Sequence, residues 1–356
     1  MSRFGDFGAK LYRGELSYNF VGRRRVLYSI SLGLLLISAL GLFGRGLNLG
    51  IEFRGGAEFQ VKTTVGTVEQ ARTAVASVGI ENSIVTKLGN EKLRIQTPEL
   101  NETQRNDVIA KLASTFSVDK GEVQVQIIGP SWGADITSKA ITALWVFLAL
   151  VAVFLAIVFE WRMALASIVA LIHDVVITVG IYALTGFEVT PSTVIGVLTI
   201  LGYSLYDTVV VFDKVKENTA KIERQTRYTY SDAANLALNQ TLVRSINTSI
   251  VALLPVIAIL FIGAGLLGAG TLRDLSLALF VGMLVGTYSS IAVATPVLAQ
   301  LKEKQPEMIA LAKRVTSKGR QTVDAVASQA GPTPARDVIT ETGPRNQPRR
   351  KPRSKR

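Results

Sequence analysis

The chain has 356 residues, 48% of them hydrophobic and 19% charged, with a formal net charge of +12. Its apolar residues fall in long blocks, a membrane composition that excludes an ordinary soluble globule. With no cysteine and one histidine, disulfides, thiolate metal sites and histidine clusters are excluded, and no metal site is expected.

Residues 1–25 are a polar lead carrying Arg3, Lys10, Arg13, Arg23, Arg24 and Arg25. The last three abut the first apolar stretch, 26–43, so the positive-inside rule places the N-terminus in the cytoplasm. That stretch lacks the small-residue cleavage pattern of a signal peptide and is read as retained. Crossing a core roughly 30 Å thick takes about 20 residues, and six stretches qualify. They are Val26–Phe43, Ala140–Phe159, Met163–Phe187, Pro191–Phe212, Ile246–Leu267 and Leu275–Leu298. Six spans return the C-terminus to the cytoplasm, which also makes the loop 213–244 cytoplasmic.

Between the first two spans, residues 44–139 read as a small domain outside the membrane on the far side. Arg45–Lys139 balances 11 basic against 11 acidic residues, as a translocated segment can. Ala57–Thr63, Ile84–Leu88, Leu93–Thr97 and Glu122–Ile128 read as strands, and Val68–Val78 and Asn101–Ser114 as helices. The order β-α-β-β-α-β predicts a ferredoxin-like module, a fold that does not by itself specify a function. The expected architecture is therefore a polytopic α-helical membrane protein, one span plus five (140–300), with an α+β ferredoxin-like extracytoplasmic domain.

Past span four, Ser231–Leu242 opens on a capping residue and is apolar on one side, so it predicts a short helix along the cytoplasmic interface. Residues 301–356 form a basic cytoplasmic tail, and the Pro- and Arg-rich part beyond Ser317 has little to bury and reads as disordered. Its expected role is a tether to anionic lipids, with an acidic partner such as ribosomal RNA as the alternative; no specific nucleic acid is expected.

Three places break the apolar rule inside the spans. Asp207 lies in the run Thr199–Phe212. A charged side chain near the bilayer centre costs about 2.5–3.5 kcal/mol on insertion scales, so it normally faces a partner, a cavity or an ion path. His173 and Asp174 lie near the middle of span three, where a structural pair bonded to a neighbouring helix is the alternative to a proton station. Arg244 stands at the predicted start of span five, either as a positive-inside anchor or as the counter-charge to Asp207. Moving a guanidinium toward or away from a buried carboxylate changes its proton affinity, which is the logic of a transporter or motor. Gly282, Gly286, Ser290 and Ala294 recur every four residues along span six and are expected to let helices approach closely. Gly263–Gly270 offers a tight turn or a hinge. Gly50–Gly56 lacks the Lys-Ser/Thr ending of a nucleotide loop, so energy from bound ATP is not expected, nor is an enzyme.

Several motifs together resemble the SecF family of the resistance-nodulation-division superfamily. They are Leu49–Gly56 with Gly50, Glu52, Phe53, Gly55 and Gly56; Gly129-Pro130; Ile172–Val176; Gly202–Asn218 with Gly202, Tyr203, Ser204, Asp213, Glu217 and Asn218; and Asn239–Ser245. They occur in the family's order over about residues 20–300, and the Tyr203–Asn218 stretch is the most specific. Glu52 departs from the Asp of many relatives, the loop before Arg244 is slightly long, and the tail has no family role. The resemblance implies pairing with SecD and action with the SecYEG channel on exported unfolded polypeptides, with YajC and YidC as further candidate partners. It also implies a bacterial cytoplasmic-membrane location and proton coupling through Asp207 and Arg244, with His173 and Asp174 on the pathway. Sodium is the alternative ion, and no other cofactor is expected. Two competing readings are a scaffold for SecD or an insertase that conducts nothing, and half of a small-molecule or lipid exporter. The small domain disfavours the exporter.

Overall fold

The computed structural model describes residues 17–63, 66–89, 91–266 and 270–329. Helix α1 (Arg24–Gly44) is followed by a two-residue strand β1 (Asn48–Leu49) and a single turn α2 (Ile51–Arg54). Gly55 and Gly56 follow with φ of 78° and 141°, and a Cβ on Gly56 would overlap the Thr97 carbonyl oxygen. Only glycine fits both conditions, which explains the adjacent pair.

The domain comprises β2 (Gly56–Lys62), α3 (Val68–Ala76), β3 (Ile84–Leu88), β4 (Lys92–Thr97), α4 (Glu102–Phe116) and β5 (Gln124–Ile128). The strands form one antiparallel sheet in the order β3-β4-β2-β5. Both helices begin with reciprocal capping boxes, Thr67 with Gln70 and Asn101 with Gln104, which satisfy backbone N–H groups that a helix start leaves unpaired. Phe59, Leu93, Ile95, Val108 and Leu112 form the core between sheet and helices.

Helices α5 (Pro130–Val158) and α6 (Trp161–Thr185) come next, then β6 (Glu188–Val189), which pairs in parallel with β1. The latter pairing ties the end of α1 to the turn after α6. Helix α6 stops at Gly186, a left-handed C-cap with φ 74°. Helix α7 (Pro191–Thr219) starts with Thr190 as cap and Pro191 at its first position, and α8 (Tyr230–Ala258) starts with a Thr229–Asp232 box. Then follow a π-helical stretch Ile259–Leu266, α9 (Gly270–Ser289), a second π-helical segment Ser290–Ala294, α10 (Thr295–Glu303) and α11 (Pro306–Gln329).

Among the described residues, six helices are long and apolar enough to cross a membrane. Those through α6, α7 and α9–α10 are about half buried and make the centre, while α1, α5 and α8 lie at the periphery. The α7–α9 contact is close along its length. A Cβ on Gly282 would overlap Ile200, one on Gly286 would stand 3.0 Å from Ser204 Cβ, and one on Gly196 would meet Ala278 Cβ at 2.7 Å. Ala294 is fully buried one turn beyond Ser290.

Two boundaries differ from the sequence reading. Residues 231–242 do not form a separate interfacial helix but belong to the N-terminal part of α8. Ala233, Ala234 and Ala237 bury their side in the main core, and nothing between 242 and 246 breaks the helix, so the hydrogen-bond ladder continues. Arg244 is therefore mid-helix. Helix α5 begins ten residues before the predicted span, because Gly129 and Pro130 supply a start signal upstream of the apolar stretch. The tail, expected to be disordered beyond Ser317, is instead helical as far as Gln329 as part of α11; residues 330–356 lie outside those described. Of the Gly263–Gly270 stretch, 263–266 continue the π-helical turns and 267–269 lie outside the described residues.

Gly282→Ala should lower the thermal midpoint of the detergent-solubilised chain, at a cost of about 1–3 kcal/mol from overpacking. Ile200→Ala in the same chain should recover part of that loss, and a purely additive pair would show that the two residues do not meet.

Candidate functional site

The close approach of α7 and α9 brings three buried polar groups to one level of the bundle. Asp174, 1% exposed on α6, accepts hydrogen bonds on Oδ2 from Ser204 Oγ at 2.5 Å and Ser289 Oγ at 2.8 Å. Its Oδ1 lies 3.1 Å from His173 Nδ1. Asp207, 4% exposed on α7, accepts on Oδ2 from Ser290 Oγ at 2.5 Å. Ser289 and Ser290 are consecutive, yet each serves a different carboxylate on a different helix.

That arrangement depends on the π-helical segment. Ser289 ends α9 and Ser290 opens the wide turn. The extra residue per turn changes the direction of successive side chains, and such turns recur at functional sites. Each serine also has a second acceptor one turn back, Gly286 O for Ser289 at 3.2 Å and Thr287 O for Ser290 at 3.1 Å. A hydroxyl has a single proton to donate, so the two acceptors compete for it. When a carboxyl group is protonated it can donate to the serine oxygen while the serine hydroxyl turns to the carbonyl.

His173 is buried and lies face to face with Tyr288, ring centres 6.0 Å apart, while its Nε2 has no hydrogen-bond partner. Tyr288 OH bonds Ser31 Oγ at 3.0 Å and Leu27 O at 3.3 Å, linking this level to α1. Beside these groups, Tyr203 OH donates to Ser249 Oγ at 3.3 Å, and Ser249 shares a 2.7 Å bond with Thr287.

Arg244 is not part of this arrangement. It is exposed on α8, its Nη2 is 3.5 Å from Tyr206 OH, and no ion pair within 4.0 Å joins it to Asp207. Tyr206 is itself half exposed, so Tyr206 and Asp207, neighbours in sequence, face out of and into the bundle respectively.

The remaining motif residues separate into two groups. At one end of the bundle, Gly50 N donates to Val189 O at 2.9 Å, and a Cβ on Gly50 would crowd both Glu52 and Glu188. Phe53 presents its carbonyl to the start of α5, where a Cβ on Gly133 would lie 2.7 Å from Phe53 O. At the other end, Asp213 and Glu217 are exposed, Glu217 accepts from Lys214 Nζ at 2.7 Å, and Asn218 Nδ2 donates to Gln240 Oε1 at 2.9 Å. Gly202 is exposed, with no side chain close to where a Cβ would be. Ser289, Tyr288 and Tyr206 were missed by sequence reasoning. Adjacent serines inside an apolar run were the available signal, but the four-residue stripe drew Ser290 into a packing role and left Ser289 unread.

Fold and site together define a polytopic membrane protein whose polar chemistry is buried between its helices, two carboxylates each bonded to one of two adjacent serine hydroxyls. The family model for the protein export membrane protein SecD/SecF C-terminal region matches residues 107–304, and the SecD/SecF GG motif matches 40–65. The chain is 50% identical over 360 residues to the protein translocase subunit SecF of Streptomyces coelicolor, covering 98% of this chain and 96% of that one. It is 41% identical to the SecF subunit of Mycobacterium tuberculosis, covering 84% of this chain and 70% of that one. The chain belongs to the SecF family. The crystal structure of Thermus thermophilus SecDF, a translocon-associated membrane protein, superposes with a TM-score of 0.72 at 32% identity, covering 81% of this chain. The chain spans 39% of that longer protein.

Ser290→Ala should remove the hydroxyl donor from Asp207 and destabilise the solubilised chain by about 1–3 kcal/mol, since it leaves a buried acceptor unpaired. In an Asp207→Ala background the same change should cost clearly less, and equal costs in both backgrounds would mean that the bond contributes nothing.

Proposed function

We propose that this chain is the SecF-like subunit of a Sec translocase accessory complex and uses the proton motive force to promote protein export across the bacterial cytoplasmic membrane. The observation that supports it best is the pair of buried carboxylates joined to adjacent serines, Asp174 to Ser289 and Asp207 to Ser290. Hydroxyls both donate and accept, so they can pass a proton between carboxylates without a bound cofactor. Protons are the preferred ion over sodium, because each serine has an alternative carbonyl acceptor to turn to when its carboxyl carries the proton.

On this reading His173 is a side station of the track, and Arg244 acts from outside the bundle, reaching Asp207 only in another conformation. The N- and C-termini are cytoplasmic and residues 44–139 extracytoplasmic. The β-α-β-β-α-β order and the sheet order β3-β4-β2-β5 support a ferredoxin-like identity for that domain. SecD is the immediate partner, a reading supported by relatives in which both are one chain, such as the SecDF subunit of Thermus thermophilus. The SecYEG channel, YajC and YidC are the wider partners, and unfolded exported polypeptides the cargo. The subunit carries out no enzyme reaction of its own.

One observation favours the scaffold reading: the bonds from Ser204 and Ser289 to Asp174 also tie α6, α7 and α9 together. Export by inverted vesicles carrying the complex separates the two. Asp207→Asn and Asp174→Asn should each lower the export that depends on the proton gradient at least about tenfold, as expected for loss of a group acting in proton transfer. Undiminished gradient-dependent export by both variants would leave only the scaffold.

A further inference from the structure

At the end of the bundle where the α+β domain sits, one arginine stands among four carboxyl groups. Arg94, on β4 of the domain, is 6% exposed. Its Nε lies 3.1 Å from Glu58 Oε2 on β2, and its Nη2 bonds Glu188 Oε2 on β6, between the two central helices α6 and α7. Gln96, also on β4, donates to Glu188 Oε1 at 2.6 Å and to Glu58 Oε2 at 3.2 Å. Asp274, 8% exposed in the first turns of α9, lies within electrostatic reach of Arg94, Glu188 and Arg273, and its carbonyl accepts from Tyr182 OH of α6 at 3.4 Å. Glu52 on α2 completes the group, facing Glu188, Glu58 and Arg94.

Charge and space make this junction unbalanced. With every carboxyl ionised, four negative charges would surround the buried Arg94 guanidinium, with Arg273 a further cation beside Asp274. Arg94 is already engaged by Glu58 and Glu188, whereas Glu52 Oε2 is buried without a hydrogen-bond partner among the described residues. Gly50 is what admits Glu52: a Cβ there would lie 2.5 Å from Glu52 Oε2 and 2.9 Å from Glu188 Oε1. Burial, followed by the nearby Glu188 and Glu58, raises the pKa of Glu52 above the ordinary carboxylate value.

We propose that these residues form a proton-dependent latch that seats the α+β domain on the membrane helices. In the docked state Arg94 bridges Glu58 of the domain to Glu188 of the bundle, and Glu52 and Asp274 hold protons taken from water on that side. When the domain lifts, the carboxyl groups meet solvent and release those protons to water. A group whose pKa is higher docked than undocked contributes to docking below its undocked value, and the contribution is lost as pH rises through the docked value. Acidity on the domain's side therefore holds the domain down. The latch uses none of the residues of the Asp174–Asp207 track and does not depend on its being a proton path.

The absence of native cysteine allows a direct test on the full chain in lipid vesicles. Nitroxide labels at Asn106→Cys, on α4, and Thr271→Cys, at the start of α9, report the seating of the domain by pulsed electron spin resonance. Between about pH 5 and about pH 9 the docked-to-lifted ratio should fall by up to about tenfold per pH unit for each proton released. Glu52→Gln with Asp274→Asn should keep the acid-state distance throughout. A flat curve for the chain carrying only the labels overturns the proposal, whether or not the double variant folds, and so does a double variant that titrates like it.

Discussion

The approach of α9 to α7 is the constraint on which the rest of the membrane bundle depends. Gly282 and Gly286 remove the side chains that would hold the two helices apart, and the next residue in the stripe, Ser290, meets Asp207 across the same seam. Close contact thus makes the carboxylate tolerable. A charged or polar group inside hydrocarbon needs a donor at hydrogen-bonding distance, and a short hydroxyl side chain delivers one only when the two backbones are near. Tight packing and buried polarity are one arrangement here.

The same principle operates at the opposite chemical extreme where the domain meets the bundle. There the contact is made by Arg94, Gln96 and carboxylates instead of small residues. Buried ion pairs contribute little net stability because desolvation offsets much of their attraction, and they become costly when one partner is lost. A junction built that way is well suited to being conditional, whereas the glycine seam inside the bundle is built to be permanent.

The spans, the α+β domain's elements and the intramembrane carboxylates Asp174 and Asp207 were legible in the sequence because each rests on a local signal: apolar length, period, capping residues or a charge inside an apolar run. Thr67, Asn101 and Gly186 mark helix ends in the chain itself. What was not legible depends on direction. Asp207 and Tyr206 are adjacent, and no count of residues says which faces inward until the α7–α9 seam is known. Arg244 was expected to face Asp207 because the charges are complementary, but α8 runs unbroken from Tyr230 and turns Arg244 outward. The link from Arg94 to Glu188 spans 94 positions and joins two elements that share no pattern. The π-helical turn at Ser290 carries no marker such as proline or glycine within it.

That turn has a mechanical meaning. A wide turn is a dislocation in the helical lattice, one residue of slack held between two regular stretches, Gly270–Ser289 and Thr295–Glu303. Such a defect can move along the helix one residue at a time, with one hydrogen bond exchanged at each step and the remainder kept. A single step toward α9 would swing Ser289 and Ser290 by about one helical increment, 100°, away from their carboxylates without unwinding the span. The slack sits where a small, reversible rotation would make or break the Ser289–Asp174 and Ser290–Asp207 bonds together.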